Sequence, residues 1–166
     1  MTRLAFIDDG ERDPLVLIHA GIADARMWEP QADRFAGEWR VVRPDLRGFG
    51  GTVHSDGEYR HATDLAGLFL DLGLPPSVVV GASMGGGVAI DLALEHPDLV
   101  RALVLVGSTY GGFHFLEPAL FDQWRELTDI YEAGRLDEAA ELETEIWSGP
   151  STSPEAKRAV VEMVRL

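Results

Sequence analysis

Four stretches of the chain are short, apolar and rich in β-branched residues. They are Leu15–His19, Arg40–Pro44, Ser77–Val80 and Ala102–Val106. Each is a continuous apolar run rather than an alternation of apolar and polar residues, which is typical of strands covered on both faces of a sheet. A weaker strand is predicted over Thr2–Ile7, ahead of a turn at residues 8–10. The pattern therefore predicts a sheet buried between two layers.

Helical patterns separate these strands. The clearest is a set of leucine and phenylalanine residues between positions 65 and 72 with the i, i+3, i+4, i+7 spacing, and Gly73 is placed to end that helix. Two more helices are predicted over Pro30–Trp39 and Gly86–His96, and Pro97 ends the second because the residue before a proline resists the helical conformation. Strands that alternate with helices indicate βαβ units. The predicted fold class is therefore α/β, with a mostly parallel sheet flanked by helices.

The strand pattern ends near Gly107. Beyond it, three helices are predicted over Pro118–Ala133, Leu136–Trp147 and Pro154–Arg165, and no further strand is predicted. We therefore expect two domains, an α/β core over residues 1–112 and a helical segment over residues 113–166.

Composition narrows the class of protein. Of the 166 residues, 46% are apolar and 25% are charged, as in ordinary globular proteins. The absence of cysteine excludes disulfides, thiolate zinc sites and a cysteine nucleophile. A net charge of −14 argues against nucleic acid or an anionic membrane surface as the main partner. No apolar run approaches the roughly 20 residues of a membrane-spanning helix, and the first residues lack the apolar centre of a signal peptide, so a cytoplasmic protein is expected.

The strongest chemical motif is Gly81-Ala82-Ser83-Met84-Gly85. It follows a predicted strand directly and opens a predicted helix, which is the context of a nucleophile elbow. In such an elbow a sharp turn holds the serine in a strained conformation with its hydroxyl above the sheet edge, and the flanking glycines avoid collisions with the turned backbone. We therefore interpret Ser83 as a catalytic nucleophile.

A dinucleotide-binding loop is the rival interpretation of this segment. Residues 81–86 also read G-x-S-x-x-G, but a serine stands where the second glycine of that fingerprint must let a pyrophosphate approach. The next strand ends in Val106-Gly107-Ser108, with no acidic residue for a ribose. We reject this interpretation and expect neither a cofactor nor a metal ion.

Three further motifs carry a family resemblance. His19-Ala20-Gly21 follows the first strong strand, Asp45–Thr52 reads D-L-R-G-F-G-G-T, and residues 24–30 read D-A-R-M-W-E-P. Together with the elbow, these segments resemble the N-terminal part of the α/β-hydrolase superfamily over about residues 1–110. The segment around residue 28 and the helical part that follows are similar to those of enol-lactonases and related small-molecule hydrolases.

The resemblance implies roles for several residues. The backbone N–H groups of Gly21 and Met84 would form an oxyanion hole, although Ala20 departs from the His-Gly dipeptide of the family. Trp28 is a candidate for the acyl pocket and equally a candidate for the core.

The resemblance also implies structural residues. His19 is expected to be a buried imidazole that shapes the loop, not the base. Asp45 and Arg47 are expected to hold loops by hydrogen bonds.

The family places its acid after the seventh strand, or in some branches the sixth, and its histidine after the eighth. The core of this chain would correspond to the first six strands, and the chain is expected to be truncated within the helical cap. No acid occurs in Gly107–Gly112. His114 is the one histidine past the sixth strand, and it is a candidate for the pocket at the cap and for a surrogate base.

These observations predict a serine hydrolase that cleaves an ester, lactone or thioester of a small molecule, in a chain that lacks the late acid and histidine. One alternative is a cofactor-free haloperoxidase or perhydrolase, which shares the elbow. Another is a non-catalytic binding module, or a decayed truncated product, on the same fold. The expected partner is a small-molecule substrate, with no nucleic acid and no membrane.

The last predicted strand, Ala102–Val106, has no predicted neighbour on one side. It is apolar and uncharged and contains none of the lysines, prolines or bulges that protect edge strands. We therefore expect self-association through this exposed sheet edge.

Overall fold

The apolar stretches of the first part of the chain form one sheet in the computed structural model, which describes residues 3–54, 57–108, 110 and 118–165. Its strands are β1 (Phe6–Asp9), β2 (Pro14–Ile18), β3 (Arg40–Pro44), β4 (Ser77–Ala82) and β5 (Val100–Val106). Their order across the sheet is β1-β3-β2-β4-β5. β1 runs antiparallel to β3, and the other neighbours are parallel. The predicted α/β class with a mostly parallel sheet is confirmed.

The start of the sheet differs from the prediction. The described residues form five strands, not the six that the resemblance assigned to the core, because the segment ahead of β2 holds only β1 and its turn. Asp8 and Asp9 belong to β1, and the turn is made by Gly10, with a φ of 96°. Ion pairs of 2.7 Å with Arg40 and Arg43 of β3 hold the two aspartates in the strand and offset their low strand propensity.

Helices connect the strands as predicted. They are α1 (Glu29–Phe35), α2 (His61–Leu72) and α3 (Met84–Glu95), with short 3-10 helices at Ala25–Trp28 and Pro97–Leu99. α2 ends at Gly73, in the left-handed conformation. α1 is shorter than the predicted helix because the chain turns after Phe35, whose carbonyl accepts the N–H groups of Glu38 and Trp39 at 2.8 and 2.9 Å.

Each face of the sheet has its own apolar core. On one face, Val16 packs with Phe69 of α2 and Leu92 of α3, and all three are at most 1% exposed. On the other face, Leu17 and Val41 pack beside α1. β2 is buried along its whole length, which explains why its sequence lacks the alternation of a half-exposed strand.

The loop after β3 is fixed by a polar network. The carboxylate of Asp45 accepts hydrogen bonds from the N–H groups of Ala25 and Gly51, each at 2.8 Å. Arg47 forms two hydrogen bonds with the carboxylate of Asp64 in α2, at 2.9 and 2.7 Å. Both side chains of this ion pair are nearly buried, at 9% and 3% exposure. These contacts fit the loop-holding role predicted for Asp45 and Arg47.

The chain divides into two units, Met1–Gly111 and Gly112–Leu166. The described part of the second unit consists of α4 (Pro118–Glu132), α5 (Leu136–Trp147) and α6 (Pro154–Val164), which match the predicted ranges to within one residue. Leu127, Ile130 and Ala139 form its apolar core. Within the described ranges, no helix has the length and apolar character needed to cross a membrane.

We expect Asp64→Ala to lower the free energy of unfolding by about 3–5 kcal/mol, because it leaves the Arg47 guanidinium buried without this carboxylate. The exposed pair Arg34–Glu38, at 70% and 67% side-chain exposure, provides the control. Glu38→Ala should change the free energy of unfolding by less than about 1 kcal/mol. Urea unfolding followed by circular dichroism measures both, and equal losses in the two variants would contradict the importance of the buried pair.

Candidate active site

Ser83 stands at the junction of β4 and α3, in a backbone conformation that is rare for a residue with a side chain. Its φ is 49° and its ψ is −116°. Among the described residues it is the only one other than glycine with a positive φ. Such a conformation costs on the order of 1–3 kcal/mol and persists only where the surrounding structure fixes it. Ser83 is exposed, so this costly turn lies at the surface, at the carboxyl end of β4.

Glycines on both sides of Ser83 permit the turn. A Cβ atom on Gly85 would lie 2.6 Å from the carbonyl oxygen of Ile18, and one on Gly81 would lie 2.6 Å from the Cα of Gly86. Both distances are well below van der Waals contact, so a side chain at either position would force α3 away from the sheet. The close packing of this junction therefore requires the G-x-S-x-G spacing.

Main-chain hydrogen bonds hold the strained residue on both sides. The N–H of Ser83 donates to the carbonyl of Val106 at 2.9 Å, and the carbonyl of Ser83 accepts the N–H of Gly86 at 3.0 Å. Within the described part of the chain, the Ser83 hydroxyl is not hydrogen-bonded to a histidine or a carboxylate. The backbone is thus fixed, but the described residues place no base on the hydroxyl.

The loop after β2 lies against the residue that follows Ser83. A Cβ atom on Gly21 would be 3.3 Å from the sulfur of Met84 and 3.5 Å from its Cβ. Met84 is the first residue of α3, where main-chain N–H groups have no acceptor within the helix. The structure therefore brings together Gly21 and Met84, the two residues that the resemblance named for an oxyanion hole.

His19 follows β2 directly and is completely buried. Its Nε2 accepts a hydrogen bond from the N–H of Leu46 at 3.0 Å, so Nδ1 carries the proton and donates to the carbonyl of Ala20 at 2.8 Å. Burial lowers the pKa of His19 below its ordinary value of 6.5, which keeps the ring neutral at neutral pH. The ring is a structural element, as expected, and neither nitrogen is available to act as a base.

Asp24 shapes the loop beside the site, a role that the motifs did not reveal. Its carboxylate accepts the N–H of Arg26 at 2.9 Å, which caps the 3-10 helix, and pairs with the Arg26 guanidinium at 2.7 Å. Burial alone would raise the pKa of this carboxyl, but the hydrogen bonds and charge of Arg26 lower it. An aspartate directly before a helical turn is the sequence feature that would have predicted this cap.

Trp28 lies in the core rather than in an open pocket. Only 7% of its surface is exposed, and it packs with Leu17, Val41 and Ala82. Its indole N–H has no hydrogen-bond partner among the described residues. Of the two roles that the sequence left open for Trp28, the structure favours the core.

Two cavities among the described residues are not lined by Ser83. A cavity of about 660 Å³ is lined by residues of α4, α5 and α6, and one of about 600 Å³ is lined by residues around Arg47 and Tyr59; Ser83 lines neither. His114 falls outside the described residues. The part of the chain that the structure describes contains no group of three or more histidine or carboxylate side chains that could hold a metal ion.

Comparisons with known proteins agree with this architecture. A family model described as alpha/beta hydrolase fold matches residues 13–160. A 2-hydroxymuconate semialdehyde hydrolase from Pseudomonas sp. strain CF600 is 34% identical over 154 residues, which cover 81% of this chain and 54% of the relative. BpoC of Mycobacterium tuberculosis, named as a non-heme bromoperoxidase, is 34% identical over 144 residues, which cover 80% of this chain and 55% of BpoC.

A solved structure shows the same fold. A thermophilic esterase from Thermogutta terrifontis matches with a TM-score of 0.81 at 31% identity, over 97% of this chain and 61% of the esterase. The chain spans a little over half the length of the curated relatives it matches. With the family model covering most of the sequence and the sheet matching a known hydrolase, the chain belongs to the α/β-hydrolase fold family.

Proposed function

We propose that this chain carries the nucleophile of a serine hydrolase, and that Ser83 attacks the carbonyl of an ester, lactone or thioester. The observation that carries the proposal is the backbone of Ser83, because the fold maintains a costly conformation at one exposed serine. That serine also precedes the N-terminus of α3. The helix N-terminus favours the negative charge that develops on the attacked carbonyl oxygen.

The backbone N–H groups of Gly21 and Met84 would hold this oxyanion. The carbonyl of Ala20 and the N–H of Gly21 belong to one peptide unit, and they point in opposite directions because the unit is planar and trans. The carbonyl accepts hydrogen bonds from Nδ1 of His19 at 2.8 Å and from the N–H of Ala23 at 3.1 Å. Fixing the carbonyl also fixes the direction of the Gly21 N–H, and a preoriented donor is what an oxyanion hole requires.

The base of the reaction has to come from elsewhere. A serine hydroxyl is a weak nucleophile without an adjacent base, and both nitrogens of His19 are already bonded. The chain covers 54% of the semialdehyde hydrolase, and the resemblance places the acid and the histidine late. The proposal therefore assigns the nucleophile and the oxyanion hole to described residues of this chain, and leaves the acid and the base to residues outside the described ones.

The proposed substrate is a small molecule with a reactive carbonyl group. One relative is named for the hydrolysis of a semialdehyde, and the matched solved structure is named as an esterase. These names support a carbonyl compound as the substrate class. The similarity of the segment around Trp28 to enol-lactonases makes a lactone one of the compounds to test.

Haloperoxidase or perhydrolase chemistry is the second candidate, and the 34% identity to BpoC supports it. In that chemistry an acyl group on the Ser83 oxygen would transfer to hydrogen peroxide instead of water, and a peracid would be released. A peracid that forms only in the presence of Ser83 would favour this candidate. A binding module would instead carry a strained serine that does not react with acyl donors.

Prolonged incubation with an excess of an activated ester such as p-nitrophenyl acetate should acylate Ser83 slowly, because the exposed turn presents its hydroxyl beside the proposed oxyanion donors but no described base activates it. The adduct should accumulate, because its hydrolysis also lacks a base. Peptide mass spectrometry would locate the adduct, and Ser83→Ala should abolish it. Ser108→Ala is the matched control, since the Ser108 hydroxyl lies close to the elbow and donates to the carbonyl of Gly81 at 3.2 Å. Identical adducts in all three proteins would contradict the assignment of the nucleophile.

The chain by itself should turn over activated esters slowly. An oxyanion hole and substrate binding alone accelerate the reaction about 10³–10⁴-fold over the reaction in water. In subtilisin, removal of the triad histidine lowers the turnover number by a factor of about 10⁶. The rate measured in parallel for Ser83→Ala is the background rate of ester reaction with surface histidines, and it is subtracted. Fast steady hydrolysis that disappears in Ser83→Ala would show that a base is present. His114→Ala would then test whether that histidine supplies it.

Acid should destabilise the fold through His19. Its pKa is lowered in the folded chain by burial, so the unfolded chain takes up the proton first as the pH falls. The free energy of unfolding should therefore fall as the pH drops from about 6.5 toward the folded pKa, and the His19 contribution should be complete above about 6.5.

Urea unfolding between pH 8 and pH 5 measures this dependence. His19→Gln should reduce the slope of the free energy of unfolding against pH. The pKa of His61 is also lowered by burial, and His61 accounts for part of the slope that remains. Leu70→Gln, at a leucine of α2 that is 73% exposed, is the control and should keep the full slope. A His19→Gln slope equal to that of the unaltered chain would rule out this origin of the pH dependence.

A further inference from the structure

The sulfur atom of Met27 lies against the loop that carries the proposed oxyanion donor. The N–H of Ala20 donates a hydrogen bond to Met27 Sδ, and the two atoms are 3.2 Å apart. Ala20 directly precedes Gly21, whose N–H is the proposed donor, and Met27 belongs to the 3-10 helix Ala25–Trp28. A single side-chain atom therefore joins this helix to the main chain of the loop after β2.

Two peptide units meet at the Cα atom of Ala20. The second unit contains the carbonyl of Ala20 and the N–H of Gly21, and its carbonyl accepts hydrogen bonds from His19 and Ala23. The first unit contains the carbonyl of His19 and the N–H of Ala20. Each unit is planar, so only the φ and ψ angles of Ala20 relate one to the other. A rotation of the first unit is therefore transmitted to the N–H of Gly21.

The first of these peptide units is restrained at both ends. At one end the carbonyl of His19 packs on Gly85, where a Cβ atom would collide with the carbonyl oxygen. At the other end the N–H of Ala20 is bound by Met27 Sδ. The sulfur therefore completes the restraint on the peptide unit that precedes the proposed donor.

Met27 is itself held in place, as a residue that orients another group must be. Its N–H donates to the carbonyl of Asp24 at 3.0 Å. The Asp24 carboxylate caps the same 3-10 helix, and the Asp45 carboxylate accepts the N–H of Ala25 at 2.8 Å. The side chains of Met27 and Ala20 both pack against the apolar core on this face of the sheet. The sulfur is therefore carried by a segment whose main chain is fixed.

We propose that Met27 is a positioning residue for the reaction of Ser83, and that its sulfur orients the N–H of Gly21 by accepting the N–H of Ala20. This inference rests on the proposed function. A thioether is a hydrogen-bond acceptor without a proton of its own. Met27 therefore acts through the loop and takes no part in proton transfer.

Met27→Leu tests this role, because it removes the acceptor and nearly conserves the volume of the side chain. The rate of Ser83 acylation by p-nitrophenyl acetate is followed on the Ser83 peptide by mass spectrometry. At saturating ester this rate should fall about tenfold, less than the roughly 10²–10³-fold loss on removal of an oxyanion donor, because the Gly21 N–H is misdirected and not lost. The half-saturating ester concentration should stay nearly unchanged.

Met163→Leu is the matched control, because it makes the same change in α6. It should leave the acylation rate as it is in the unaltered chain. Equal rates in Met27→Leu and the unaltered chain, or a change in the half-saturating concentration alone, would overturn the role of Met27 and leave the proposed function standing. An unaltered chain in which Ser83 is never acylated would overturn both.

Amide hydrogen exchange tests the hydrogen bond to sulfur without any ester. The Ala20 N–H should exchange about tenfold faster in Met27→Leu than in the unaltered chain, because its acceptor is gone. The Leu46 N–H, which donates to Nε2 of His19, should keep its protection in both proteins. Equal exchange of the Ala20 N–H in the two proteins would overturn the proposal. Faster exchange of both amides would also overturn it, because Met27 would then act by packing the whole loop.

Discussion

The backbone of Ser83 can hold a φ of 49° only because its neighbours leave it no room to relax. Val106 of β5 binds its N–H, and Gly85 packs so closely under the end of β2 that no side chain fits there. The turn is therefore fixed by strands on both sides of β4, not by its own sequence alone. The role proposed for Ser83 depends on this constraint, because a serine free to adopt an ordinary conformation would not be aimed at a substrate.

A second set of contacts fixes the loop opposite the serine. Leu46 donates to His19, and His19 donates to Ala20, so the loop after β3 orients the loop after β2 through one imidazole ring. The Arg47–Asp64 pair anchors the loop after β3 to α2. A buried network of this kind stabilises the fold only when every member is satisfied. Its effect is positional, since it fixes the direction of the Gly21 N–H, the proposed oxyanion donor, and supplies no reacting group.

The sequence predicted the features that depend on local rules. The elbow spacing, the end of α2 at Gly73 and the three later helices follow from glycine placement, capping and helical periodicity, and the structure agrees with them. Features that depend on distant residues were not predicted. Asp8 and Asp9 look like a turn locally, and only arginines in β3 make them part of a strand.

The pattern of apolar residues also did not predict how deeply each strand is buried. β2 and residues 102–106 of β5 are both continuous apolar runs, yet β2 is buried and β5 is largely exposed. The sequence around Trp28 is likewise compatible with a pocket or with the core, and the packing of Trp28 against buried apolar residues places it in the core. The family resemblance named Gly21 and Met84 together, and the structure places them side by side, but its strand count was one more than the described residues contain.

The strand β5 and the turn at Ser83 are linked by a main-chain hydrogen bond. β5 fixes Ser83 through the carbonyl of Val106, yet among the described residues β5 itself pairs with β4 alone. A strand with a single neighbour and exposed side chains opens locally at a lower free-energy cost than an interior strand. Opening of β5 releases the N–H of Ser83 and with it one of the restraints that maintain the strained turn. A strand added to the outer edge would therefore stabilise the conformation of Ser83 without touching it, because the inner and outer hydrogen-bonding groups belong to alternate residues of the same strand.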